Sequence, residues 1–102
     1  MMNPQADGFD WDRGNRSKCE KHGLTIAVIE DLFTRTIAIL PDAAHSEQEN
    51  RFRAIGTTEK GRRVFLVFTL RPKNDEMLIR PISARYMHKK EVESYEKENP
   101  GL

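Results

Sequence analysis

The stretch "RRVFLVFTL", residues 62–70, constrains the fold more than any other part of the chain. Beyond its two arginines it is apolar at successive positions, so an extended strand built from it is apolar on both faces and needs cover on each side. It therefore belongs in the middle of a sheet. Its apolar run, "VFLVF", is far too short to cross a bilayer. The segments around it alternate with a period of two, as neighbouring strands should. "TIAILP" is a strand closed by Pro41 and Asp42, and "NRFRAIG" alternates Phe52 and Ala54 with Arg51 and Arg53. "RPKND" reads as a turn and "EMLIRPISAR" as the last strand, where Pro81 marks an edge or a bulge.

The helical period occupies the two ends. "FDWD" places Phe9 and Trp11 at alternate positions, which suits a short strand burying one face. Asp12 caps a helix through "RGNRSKCEKHG", which Gly23 ends in a left-handed conformation. Thr25 opens a second helix, "TIAVIEDLF", with Ile26, Ile29 and Phe33 on one apolar face. "HKKEVESYEKENPG" reads as a final helix. The expected order is a short strand, two helices, a four-stranded antiparallel meander and a helix. This is a single α+β domain, with the N-terminal helices and the C-terminal helix segregated on one face of the sheet. Residues 1–8 have no period and should fray, leaving residues 9–98 as the domain. Val64, Leu66 and Phe68 should pack under the helices, with Phe52, Leu78 and Ile82.

Composition narrows the chemistry. Hydrophobic residues make up 37% of the 102 and charged residues 32%, so a thin core carries a densely ionic surface. The net charge of +1 conceals an uneven distribution. Residues 1–34 carry four Lys/Arg against six Asp/Glu, residues 35–90 twelve against six, and residues 91–102 one against four. A basic middle of this kind suits a polyanion, although basic strands also serve as plain edge protection. A single cysteine, Cys19, rules out an intrachain disulfide, and no zinc-type Cys/His spacing exists. No basic, then apolar, then small-residue leader opens the chain, so the cytoplasm is the expected compartment, with no membrane partner. Phosphate-binding glycine loops, G-x-S-x-G and H-E-x-x-H are missing, and His22, His45 and His88 lie in separate segments. Neither a metal site nor a cofactor is expected. The class left is handling of a phosphate by arginine, lysine and histidine.

Arginine suits that task because its guanidinium forks onto two phosphoryl oxygens and stays charged. Arg51, Arg53, Arg80 and Arg85 all fall on or beside the sheet. If Phe52, Ala54, Leu78 and Ile82 face the core, Arg51 and Arg53 point away from it. Arg80 shares parity with Leu78 and Ile82, and Arg85 with Ser83; a bulge at Pro81 shifts that register. Each arginine alone is as well explained by a solvated sheet face. Lys21 and His22 end the first helix, where cations are favoured by the helix dipole, yet an imidazole there can also serve as general acid or base. Glu47 and Glu49 read as loop solvation, with a base role open to a carboxylate held by arginines. Tyr86, His88 and Tyr95 read as packing or surface residues, and Cys19 as a small helix-buried one.

The segments "FDWD", "KHGL", "IEDLF", "PDAAHSEQENRFRAIG", "GRRVFLVFT" and "IRPISARYMHKKEVESYE" occur in the order of the BrnT-type toxin family, and the resemblance spans residues 9 to 96. Its most specific pieces are K-H-G after the first helix, H-S-E-x-E-x-R-F-x-A-I-G, and I-R-x-I-S-A-R. The resemblance implies a compact, RelE-like ribonuclease fold with a cupped antiparallel sheet. It implies a toxin of a bacterial type II toxin–antitoxin system, cutting RNA, arresting growth, and neutralised by a BrnA-type antitoxin through which alone it meets operator DNA. The family pattern falls on Lys21, His22 and Gly23, on His45, Glu47, Glu49, Arg51 and Gly56, and on Arg80, Ser83 and Arg85. Pro81 departs from it, standing where members commonly have a β-branched apolar residue; Lys18 and Cys19 stand where many have Asn. On this basis Arg51, Arg80 and Arg85 are expected to hold phosphoryl charge during attack by an RNA 2′-hydroxyl. Glu49 or His22 would take the proton, and Lys21 or His22 would assist the leaving oxygen. Arg53, His45, Lys89 and Lys90 would bind RNA. The alternative is a non-catalytic module whose basic sheet docks an antitoxin-like partner.

Overall fold

The computed structural model describes residues 6–42 and 50–100. Its elements are β1 (Gly8–Phe9), α1 (Arg13–Glu20), α2 (Ile26–Leu32), β2 (Ala38–Pro41), β3 (Arg51–Thr57), β4 (Arg63–Lys73), β5 (Glu76–Tyr86) and α3 (Lys89–Glu98). Local chemistry explains most of the boundaries. Asp12 and Asn15 cap α1 reciprocally: the Asp12 carboxylate accepts from the Asn15 N–H at 3.1 Å, and the Asn15 amide oxygen from the Asp12 N–H at 2.8 Å. Gly23, at φ 90°, turns the chain out of α1 as a left-handed position should. The Thr25 hydroxyl accepts the Val28 N–H and starts α2. Asn74 and Asp75, at φ 51° and 65°, make the two-residue hairpin that joins β4 to β5.

The strands lie in the order β1-β5-β4-β3-β2, so the doubly apolar β4 is central. β2 through β5 form the expected antiparallel meander. The expectation of a four-stranded antiparallel sheet is corrected by β1, which pairs parallel to β5 and makes a mixed sheet of five. A strand of two residues persists only along an existing edge. Here the Asp7 N–H donates to the Met77 carbonyl and the Asp10 N–H to that of Ile79.

One face of the sheet is the core. Ala54, Val64, Leu66, Phe68, Ile79 and Ala84 are buried against Cys19 of α1, Ile29 and Leu32 of α2, and Phe33 and Ile37 beyond it. Phe68 stands edge-on to Phe33 and stacks on Phe52, each at 5.3 Å between ring centroids. The expectation that all helices share this face is corrected by α3, which lies over the opposite face beside Arg53, Ile55, Phe65 and Arg85 and has no buried residue of its own. Its apolar positions, Val92 and Tyr95, are too few to compete for the core, so ion pairs hold it instead.

A third correction concerns which side chains of β5 face the core. Val67 pairs with Ser83 but Phe68 pairs with Pro81, so Ile82 is an extra residue without a partner on β4. Proline has no N–H for the ladder, which is why the irregularity falls beside it. The core side chains of β5 are therefore Ile79, Pro81 and Ala84; Leu78 and Ile82, expected inside, are only partly buried.

Candidate functional site

In an antiparallel pair, directly opposed residues project from the same face. The face away from α1 and α2 carries four rows running across β3, β4 and β5. They are Arg51, Thr69 and Arg80; Arg53, Val67 and Ser83; Ile55, Phe65 and Arg85; and, on β3 and β4, Thr57 and Arg63. The extra residue at Ile82 puts Arg80 and Arg85, five positions apart, on one side. Without it they would face opposite ways. Successive rows are about 7 Å apart and neighbouring strands about 4.8 Å, so Arg51 and Arg80 stand two strands apart in one row.

The four arginines differ in their surroundings. Arg53 is exposed and has no carboxylate partner among the described residues. Arg51 is partly buried. The Arg80 side chain is 19% exposed and donates to Asp10 at 3.3 Å and Asp12 at 2.8 Å, tying β1 and the α1 cap to β5. The Asn15 N–H and, after it, the Arg80 guanidinium hold the Asp12 carboxyl below its ordinary range. Burial pulls the Arg80 guanidinium down, but Asp12 and Asp10 leave it raised. Arg85 donates through Nη1 and Nη2 to the two oxygens of Glu91, at 2.8 and 2.9 Å, and lies over the Phe65 ring. That guanidinium, with the His88 N–H, holds the Glu91 carboxyl down to about 2, and Glu91 in turn raises Arg85.

Between this face and α3 runs a groove of about 810 Å³. Leu40, Ile55, Phe65, Met87 and Tyr95 supply apolar lining, and Arg53, Arg85 and Lys90 supply cations. Lys89 is exposed in the first turn of the same helix. Lys21 and His22 are exposed at the end of α1, in the helix layer that covers the core face, on the other side of the sheet from the arginine rows. His45, Glu47 and Glu49 lie outside the described residues. Among the described residues no group of three or more His, Cys, Asp or Glu could hold a metal ion, and no helix is long and apolar enough to cross a membrane. Cys19 is buried, and desolvation pushes its thiol up to about 11, with Glu20 adding to the rise.

Three contributors, Asn15, Glu91 and Phe65, escaped the sequence reading. Asn15 donates to the carbonyls of Asp10 and, in the buried interior, of Pro81, anchoring the irregular part of β5 to α1. Glu91 and Phe65 fix Arg85, and Tyr95 lines the groove beside Arg63. The spacing of Arg85 and Glu91 carries no signal, because one ends a strand and the other starts a helix across a bend.

Guanidinium groups spread over one face of the sheet, with an apolar groove between it and α3, give that face a basic, partly apolar character. The class is a small α+β domain with a mixed five-stranded sheet and one basic face. Residues 11–91 match the family model described as "Ribonuclease toxin, BrnT, of type II toxin-antitoxin system". The chain belongs to that family: it is an endoribonuclease toxin, and an antitoxin is its partner. A comparison with curated proteins returns no match.

Proposed function

We propose that this toxin cuts RNA without a metal, on the arginine-bearing sheet face, in the manner of a RelE-like ribonuclease acting in the cytoplasm. An RNA 2′-hydroxyl attacks the adjacent phosphorus, the bond from phosphorus to the 5′-oxygen breaks, and a 2′,3′-cyclic phosphate is left. Arg51, Arg53 and Arg85 hold the charge that builds on the phosphoryl oxygens, and Arg80 adds to the field while bound to Asp10 and Asp12. Glu49, two residues before Arg51 in the sequence, takes the hydroxyl proton, and water protonates the leaving 5′-oxygen, because Lys21 and His22 end α1 in the helix layer over the other face of the sheet. His45, Lys89 and Lys90 bind flanking RNA. A BrnA-type antitoxin silences the enzyme by covering the same basic face.

The observation that carries this reading is that the irregular pairing of β5 sets Arg80 and Arg85 on the same side as Arg51 and Arg53. Purified protein and RNA in excess EDTA test it. Cleavage should persist in the chelator, and alanine at Arg51, Arg53 or Arg85 should each lower the rate by roughly a hundredfold, with circular dichroism of each variant checking that the fold is kept. Activity lost in EDTA and restored by a divalent ion would refute metal independence. Full activity in all three alanine variants would remove the sheet face from the reaction. His22→Ala should leave cleavage unchanged, since α1 lies over the other face; a roughly hundredfold loss would bring the end of α1 into the reaction.

A further inference from the structure

Arg85 has five N–H donors in a planar fork. Two of them go to Glu91, one from Nη1 and one from Nη2, and a second Nη1 hydrogen leans toward the Tyr86 carbonyl at 3.5 Å. The remaining pair, the Nε hydrogen and the outer Nη2 hydrogen, lies along one edge of the guanidinium and has no acceptor among the described residues. Such an edge matches two oxygens of a phosphate. The carboxylate therefore grips one end of the fork and leaves the phosphate-matching edge open. The Phe65 ring, 5.0 Å from the guanidinium carbon, supports one face of the plane. Glu91 is itself fixed, because its Oε1 also accepts the His88 N–H at 2.8 Å at the start of α3.

We infer that Glu91 is a positioning residue for RNA cleavage: it aims the open edge of Arg85 at the scissile phosphate. This rests on the assignment of Arg85 to the phosphate made above. The opposite role fits the contacts less well. A carboxylate competing with RNA would occupy the edge a phosphate needs, whereas Glu91 takes the other end and leaves that edge open. The inference also gives α3 a task that its packing does not supply, since the helix buries none of its residues yet carries the group that orients the arginine.

The test uses the full chain and a labelled RNA that the wild type cuts. Glu91→Gln keeps the shape and an acceptor for His88 but loses the charge and one oxygen. Misplacing a reacting group by about 1 Å costs on the order of a hundredfold, so kcat should fall roughly ten- to a hundredfold while KM stays nearly constant. Glu91→Asp keeps the charge and the helix start but draws the carboxylate back by one carbon, so its kcat should fall in between; it serves as the second variant if Gln loosens α3. On an Arg85→Ala background, Glu91→Gln should have no further effect. Cleavage by Glu91→Gln at or above the wild-type rate would overturn the inference and make Glu91 a competitor. So would a loss that persists undiminished without Arg85. If Arg85→Ala itself cuts normally, the assignment of Arg85 to the phosphate fails first, an outcome distinct from a normal Glu91→Gln beside an inactive Arg85→Ala.

Discussion

Asn15→Ala tests the link between the core and the proposed site. Asn15 is 5% exposed, and its side chain makes three hydrogen bonds: to the Pro81 carbonyl at 2.7 Å, to the Asp10 carbonyl at 3.0 Å, and from the Asp12 N–H at 2.8 Å. Each bond contributes about 1 kcal/mol net, and stranding a buried carbonyl costs about 1–3 kcal/mol more than replacing both partners would. The Pro81 bond is buried, whereas the other two are only partly so and regain some hydration from water. The expected loss is about 2–4 kcal/mol, a large share of a small domain's stability. At roughly 4–8 °C per kcal/mol, melting should fall by at least 8 °C. Urea titration followed by circular dichroism measures it, with Asn15→Asp as the control. That change keeps the acceptor for Asp12 but faces two carbonyls with oxygen, so it should be no milder than alanine. A midpoint shift worth less than about 0.5 kcal/mol, within the usual range of surface substitutions, would show that the Pro81 carbonyl is satisfied some other way and that Asn15 does not anchor β5.

Phe68→Ala removes a ring that is 1% exposed and packed against Phe33 and Phe52, so it should cost about 3–5 kcal/mol in the same titration. The pairing of Glu91 with Arg85 sets a pH window. Because the folded carboxyl is lowered from 4.5 to about 2, its contribution is fully present above pH 4.5 and is lost as the pH falls through 2. The stability gap between wild type and Glu91→Gln should therefore be flat from pH 7 to 5 and close below pH 4.5; a gap that widens there would contradict the pairing. Cys19 should react with a thiol reagent at neutral pH only as fast as the chain opens, since it is buried and its thiol is held up to about 11. Rapid labelling of the folded protein would refute this.

Much of the architecture was legible along the chain because it rests on local chemistry. The caps at Asp12 and Thr25, the stop at Gly23 and the two-faced apolar run of β4 all express themselves within a few residues. The long-range features were not. That β1 pairs parallel with β5, and that α3 crosses to the far face, depend on which edges and faces remain open after the meander has formed. The parity of Arg80 was undecidable for a related reason. One extra residue inverts every side chain beyond it, and only pairing with β4 shows that Ile82 is the residue left over.

The candidate site divides along the same line. Arginine-rich strands and a basic middle were visible in the order of residues, as was the likeness to a toxin family, since all three are properties of residue type and spacing. Which guanidinium groups are already held by carboxylates, and which edge of Arg85 stays open, are properties of folded neighbours. Ion pairs of this sort join positions as far apart as Asp10 and Arg80, brought together only when β1 lies down along β5. Alternation and capping are set by covalent geometry one residue at a time. The shared face of the arginines is set by hydrogen-bond register between strands, and that exists only once the sheet has formed.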